Sequence, residues 1–307
     1  MTGPRFAILE LRSNLGLRPS GVEKLPDALR RAGLVARLGA REAGTVEAAA
    51  PYDTTRAADT GVLNGPALHA TSLALAESVA AVVSDGDVPI VLAGDCSVVL
   101  GSLLGLRLSR RASGRSDRVG LLFVDGHVDF YQPEASPTGE VADMDLALAT
   151  GRGPPILARL GGPEPLVNES DIAAVGARDA DERSRAGARS IEATAVRLFE
   201  LDAIRSRGMS NIAGEAVAVV EGRDLSGFWL HLDADVLDDV FMPAVDYRQP
   251  GGVSPAELTL LLRRAARSPR LAGISVAIYN PELDPDGAAA QTLVECLVHG
   301  LTARVDP

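Results

Sequence analysis

The sequence predicts an α/β fold: a mainly parallel sheet of eight strands with crossover helices on both faces. Three observations predict it. Eight short apolar runs alternate with helix-spaced segments along the whole chain, the order that parallel strands joined by helices require. Runs such as Val119 to Val124 are continuously apolar, as a buried strand is. Three of the runs end in clusters of metal-binding side chains, at the carboxyl ends where such sheets place their ligands.

In chain order, the strand Phe6 to Leu11 is followed by a helical pattern over Gly21 to Ala32 and a second strand, Leu34 to Leu38. Arg41 to Gly65 fits neither pattern. A helix over Ala67 to Val83 leads to the strand Val88 to Ala93, and a helix over Ser97 to Arg110 leads to Val119 to Val124. Gly151 to Glu169, broken by Pro154-Pro155, Gly161-Gly162-Pro163 and Pro165, reads as surface connection or as pocket wall. Next come the strand Ile172 to Val175, a helix over Asp181 to Ala193, and the strands Ala195 to Phe199 and Phe228 to Leu232. Gln249-Pro250-Gly251-Gly252 is turn chemistry, and Ser254 before Pro255 is an N-cap for a helix running to Arg267. The strand Gly273 to Tyr279 and a helix over Ala288 to Ala303 close the chain, with no repeat or linker to divide a single domain over 1–307.

The 46% hydrophobic content over 307 residues supplies a full core. With 30 basic against 41 acidic side chains the net charge is -11, so a polyanion is repelled and nucleic acid is not an expected ligand. Two cysteines, Cys96 and Cys296, are too few for a disulfide framework and suit a reducing compartment. Met1 to Leu11 has no basic region followed by a long apolar core, and no run of eighteen apolar residues occurs. The expectation is a cytoplasmic protein with a small-molecule substrate and no membrane partner.

The chemistry gathers at the strand ends. Leu122-Phe123-Val124 runs into Asp125-Gly126-His127-Val128-Asp129; Phe228 to Leu232 runs into Asp233-Ala234-Asp235; Pro89 to Ala93 runs into Gly94-Asp95-Cys96-Ser97. Four carboxylates brought together would repel by roughly 1 to 4 kcal/mol per close pair, and the motifs hold no basic residue. Two divalent cations resolve this, with bridging carboxylates and His127 completing the shells. Carboxylate-rich ligation with one imidazole favours Mn over a structural Zn site. Two metals sharing a water lower its pKa toward about 7, which suits hydrolysis at an electrophilic carbon. By alternation His231 shares a face with Asp233 and Asp235, as a packing or supporting histidine rather than a ligand. His69 and His299 fall in helical patterns and Cys296 reads as core.

These motifs resemble the arginase and agmatinase family, the ureohydrolases, which hydrolyse carbon–nitrogen bonds of guanidino and amidino compounds with two manganese ions. The family carries Gly-Gly-Asp-His-Ser, Asp-Ala-His-x-Asp and Ser-x-Asp-x-Asp-x-x-Asp-Pro; the matching stretches are Ala93 to Ser97, Asp125 to Asp129 and His231 to Asp239. The resemblance implies a three-layer α/β/α fold with a mainly parallel eight-stranded sheet and trimers or hexamers. It also implies that Asp125, His127, Asp129, Asp233 and Asp235 are metal ligands, with Asp125 and Asp233 bridging. Gly176 to Asp181 resembles the segment that recognises a substrate α-amino group, which gives Asp181 that role or, alternatively, that of a first-turn helix acid. Thr138 falls where a substrate carboxylate is held.

The departures are as specific. Cys96 stands where the family has a histidine ligand, a softer donor that leans toward Zn, Fe or Co. The family's proton-shuttle histidine falls at Ala142, leaving Asp143 as the adjacent titratable group, and Ile278 falls where a glutamate binds the guanidinium. Glu282 replaces that glutamate only if its loop folds back. The expected activity is metal-dependent hydrolysis of an amidino, guanidino or N-hydroxyguanidino small molecule, with Asp129 and Asp143 as catalytic groups. A catalytically silent relative retained for ligand binding or assembly is the alternative.

Overall fold

The structure, a computed structural model, describes residues 5–302. Eight strands form one sheet: β1 Phe6–Arg12, β2 Arg41–Glu47, β3 Val88–Ala93, β4 Gly120–Val124, β5 Ile172–Val175, β6 Arg197–Phe199, β7 Phe228–Asp233 and β8 Leu271–Ala277. Their order is β2-β1-β3-β8-β7-β4-β5-β6 and every neighbouring pair is parallel. The helices are α1 Leu25–Arg31, α2 Leu34–Leu38, α3 Gly65–Ser84, α4 Val98–Ala112, α5 Asp145–Ala149, α6 Pro155–Ala158, α7 Ala180–Ala186, α8 Leu201–Arg207, α9 Met209–Val220, α10 Pro255–Ala266 and α11 Ala288–Leu301. All residues of β3 after Val88, and all of β4, β7 and β8, are buried, which is why these strands read as unbroken apolar runs.

Four expectations about elements need correction. Leu34 to Leu38 is a short helix, because Gly33 and Gly39, at φ 90° and 60°, supply left-handed residues at both ends. The second strand is Arg41–Glu47, an edge strand in which only Val46 is buried, so it has no apolar run to reveal it. The helix expected over Asp181 to Ala193 stops at Ala186, where Gly187 turns left-handed at φ 70°. Between β6 and β7 lie α8 and α9, which the strand-and-helix reading passed over. Ser254 does cap α10: its hydroxyl accepts from the Glu257 amide, and its own amide donates to Glu257 Oε2 at 2.8 Å. Ala303 lies outside the described residues.

α3 is long and apolar enough to cross a bilayer by length and composition. It packs instead against α4, with Glu77 exposed on its other face. The approach is close because α4 presents glycines: a Cβ on Gly101 or Gly105 would stand 2.7 or 2.6 Å from the carbonyl oxygen of Ser72 or Ala76.

The sheet order positions the site. Chain winding runs outward from β3 to one edge and from β4 to the other, with β8 and β7 inserted between them, so β3, β8, β7 and β4 form the switch region. Register then levels their carboxyl ends: Val124 faces Leu232, Asp233 faces Ala277, and the Ile278 amide donates to the Gly94 carbonyl at 2.9 Å. Asp125, Asp233, Ile278 and Gly94 therefore leave the sheet at one height.

Candidate metal centre and active site

Short local bonds fix the acidic clusters. Asp233 caps the turn after β7, its Oδ1 accepting the Asp235 amide at 2.6 Å, and Asp125 Oδ1 accepts the His127 amide at 2.7 Å. Across the β4–β7 seam the Gly126 amide donates to Asp235 Oδ1 at 3.1 Å. A Cβ on Gly126 would sit 2.3 Å from an Arg178 guanidinium nitrogen, so the glycine lets that side chain lie close over the turn. Asp129 is held at φ 43°, an uncommon conformation outside glycine, and the neighbouring Val128 amide donates to Asp179 Oδ2 at 3.3 Å. Arg183 in turn donates to Asp179 at 3.1 Å. On β3, Asp95 accepts the amides of Gly16 and Ser97 at 3.1 and 3.0 Å, anchoring the turn that presents Cys96.

The result brings Cys96, His127, Asp129, Asp233 and Asp235 to one wall of a cavity of ≈ 270 Å³, with Asp125 buried beside them. Cys96 Sγ donates to Asp233 Oδ2 at 3.0 Å, and His127 Nδ1 lies 3.0 Å from Asp235 Oδ2 and 3.7 Å from Asp125 Oδ1. Ligand atoms of Cys96, Asp125 and Asp233 lie within 4.8 Å of one another, and so do those of Asp125, His127 and Asp235. Asp125 thus belongs to both groups, the placement a bridging carboxylate needs.

Electrostatics tests whether cations fit here. Burial, with repulsion from neighbouring acids, pushes Asp129 and Asp233 well above the carboxylate range and Asp125 up to about 6. Burial also pushes the Cys96 thiol up, and Asp233 adds to the effect. Burial would discharge His127, but Asp235 and Asp125 outweigh it and hold the imidazole protonated. Burial opposes Asp235 as well, yet His127 and then Arg178 keep it below its ordinary value. Arg178 is the nearest guanidinium, but it donates to the backbone carbonyls of Asp235 and Gln249, at 2.8 and 3.3 Å, rather than to a carboxylate. One imidazolium cannot neutralise this many acids, and Asp125 Oδ2 has no hydrogen-bond partner. Oxygen, nitrogen and sulfur donors converge as two divalent ions require.

Of the other sequence-predicted residues, Thr138 and Asp143 line the cavity. Asp143 accepts from Ser136 Oγ at 2.7 Å and from Thr138 Oγ1 at 3.4 Å, while its Oδ1 is unpartnered. Burial, despite the Ser136 bond, pushes it up to about 7. Asp181 is exposed in the first turn of α7; Glu182 takes the place on the cavity wall. Ala142 and Ile278 line the cavity, Ile278 at φ 72°, a strained conformation for a β-branched residue. Glu282 does not fold back: it pairs with Lys24 at the surface.

Sequence reasoning missed Glu140, Tyr247 and Asp145. Glu140 is buried in the cavity wall, accepting from the Arg18 amide at 2.9 Å and from the Tyr247 hydroxyl at 2.8 Å, partners more than a hundred residues distant that no local pattern reveals. Asp145 is fully buried at the start of α5; its visible signal is an acid at the head of the apolar stretch Leu146 to Ala149.

The arginase family model matches residues 6–301. The chain belongs to the arginase family. It is therefore a hydrolase of carbon–nitrogen bonds of the guanidino and amidino class, with the substrate left open. It is 27% identical over 294 residues to an arginase of Bacillus caldovelox and 29% identical over 294 residues to one of Brevibacillus brevis, in each case covering 94% of this chain and 95% of the relative. The solved B. caldovelox arginase superposes with a TM-score of 0.84 at 25% identity, covering 99% of each chain. A formimidoylglutamase from Bacillus subtilis shares the fold, with a TM-score of 0.72 at 18% identity over 100% of this chain and 89% of the other.

Proposed function

We propose that this chain hydrolyses a linear amidine, a guanidino, N-hydroxyguanidino or amidino small molecule other than arginine, using two divalent cations. The observation that carries the reading is the buried acid cluster at the ends of β3, β4 and β7, which has no arginine or lysine in ion-pair contact among the described residues. Asp125, His127 and Asp235 suit Mn; Cys96 and Asp233 accept a softer ion. When bound, such a pair acidifies water and polarises the carbon under attack.

The chain's own residues do the rest. Asp129, held in its left-handed turn at the cavity wall, orients the attacking water. Asp143, with one free oxygen and an ionisation near neutrality, delivers a proton to the departing amine. Ile278 offers apolar contact in place of a carboxylate, so a guanidinium gains no ion pair there. Acid recognition of a cationic substrate falls instead to Glu140 on the wall, with Asp181 and Glu182 at the start of α7, and Thr138 on the wall adds a hydroxyl donor. The protein works in the cytoplasm as a trimer or hexamer, which its mass in solution checks.

The test is a metal-loaded preparation assayed against guanidino, hydroxyguanidino, formimino and acylamino compounds. Release of urea or an amine from one of them, with arginine a poor substrate, is expected. Preferred turnover of arginine, or no release from the panel, contradicts the proposal.

A further inference from the structure

Beside the Asp125, His127 and Asp235 group, and sharing Cys96 with the cavity wall, lies a second set of donors. Ligand atoms of Cys96, Asp145 and His231 lie within 4.8 Å of one another, and all three residues are buried, Asp145 and His231 completely. Both carboxylate oxygens of Asp145 lack a hydrogen-bond partner, and so does His231 Nε2. Three unmet polar atoms aimed into one buried space form an unusual debt for a folded chain. A cation among them would meet all three at once.

Trp229 Nε1 donates to Ser275 Oγ at 3.0 Å, and His231 Nδ1 meets the same oxygen at 2.8 Å. A metal at Nε2 takes the tautomer in which Nδ1–H donates to Ser275. That is the support a metal-bound imidazole takes from its surroundings. The ring is also fixed from the side, stacked on Phe123 with centroids 5.1 Å apart.

We propose that Cys96, Asp145 and His231 form a sulfur, oxygen and nitrogen site for a borderline-soft divalent cation of the Zn or Co class, so that the centre holds two unlike metals. This rests on the metal-dependent reading above and deepens it. Cys96 and the neighbouring Asp233 link the two halves: Cys96 gives sulfur to the inner ion, while Asp125, His127 and Asp235 give the outer ion the harder set that suits Mn.

The experiment loads the full chain with Mn and Zn together, counts each by elemental analysis, and separately follows Co(II) binding by its thiolate-to-cobalt absorption. Wild type is expected to hold one Zn and one Mn, with the cobalt band present and lost in Cys96→Ser. Asp145→Asn, nearly the same shape, and His231→Gln are each expected to weaken the Zn or Co site at least about tenfold while Mn stays bound. Two metals held with unchanged affinity and an unchanged cobalt spectrum in both variants would overturn this inference and leave the metal centre standing. No metal in wild type after loading overturns both. If His231→Gln fails to fold, Asp145→Asn decides.

Discussion

The acids of the candidate metal centre, at the carboxyl end of the sheet, are treated in the opposite way to the buried acids at its amino-terminal end. At the amino-terminal end, Asp87 before β3 meets Arg5 at 2.9 Å and Arg41 at 2.6 Å, and Asp171 before β5 is gripped by two Arg118 nitrogens at 2.7 and 2.8 Å. At the carboxyl end, Asp125, Asp129, Asp145 and Asp233 are also buried, with no arginine or lysine in ion-pair contact among the described residues. The difference teaches where function lies. A guanidinium neutralises an acid permanently and serves the fold, whereas acids left to repel one another wait for a cation that can be removed and that brings chemistry with it.

The largest expected effect sharpens this contrast by giving one substitution two signs. Asp125→Asn is expected to lower activity more than about 100-fold and to weaken metal binding, yet to raise the unfolding stability of the chelator-treated protein by about 1 to 2 kcal/mol, because a repelling charge is gone. Loss of stability in the chelated protein would break the comparison. Next in size, Asp143→Asn should cost about 10² to 10⁴ in kcat and remove an ionisation near pH 7 from the rate profile; a profile that keeps this limb assigns it elsewhere.

The pH dependence of stability should also run in opposite directions at the two kinds of site. Asp125 titrates at about 6 when folded and about 4 when unfolded, so the folded, chelated chain binds the extra proton and that group's contribution declines as pH rises from about 4 through 6. Burial works against Glu10, but Arg30 and Arg12 prevail and hold it below its ordinary value, so its contribution is complete above about pH 4 and is lost on acidification. Denaturant unfolding of the chelated protein at pH 3, 5 and 7, for Asp125→Asn and Glu10→Gln beside wild type, separates the two slopes: the Glu10 contribution changes below pH 5 and that of Asp125 is lost by pH 7.

Smaller still, Asp171→Asn strands a half-exposed Arg118 and is expected to cost about 1 to 2 kcal/mol with metal content unchanged. At the cavity mouth the effect is smallest: Glu182→Gln or Asp181→Asn should raise KM about two- to fivefold, the weight of an exposed ion pair, and the larger of the two rises identifies the acid that meets substrate.

Much of this was legible in the sequence because the strands that build the site are buried on both faces. β3, β4, β7 and β8 announce themselves as apolar runs, and the acids directly after them must lie at carboxyl ends. The edge strand Arg41–Glu47 was not legible, since one buried valine among charged residues leaves no period to detect, and Leu34–Leu38 looked like a strand until glycines at both ends made it a helix. Asp125 to Asp129 and Asp233 to Asp235 could be read because their ligands are local in sequence. Glu140 could not, because its hydrogen-bond partners Arg18 and Tyr247 come from far along the chain, and Asp145 hid at the head of an apolar helix. His231 was visible and was read as a packing or supporting histidine; only its unpartnered Nε2 beside Cys96 and Asp145 gives it another meaning.

The most direct measurement is the thermal unfolding of the purified chain, with bound metals counted, before and after chelation and after metal is restored. The account predicts two divalent ions per chain, a fall of several degrees in Tm when they are stripped, and recovery on adding them back. A chain that holds no divalent ion after loading, and whose Tm does not respond to chelator or metal, would contradict it.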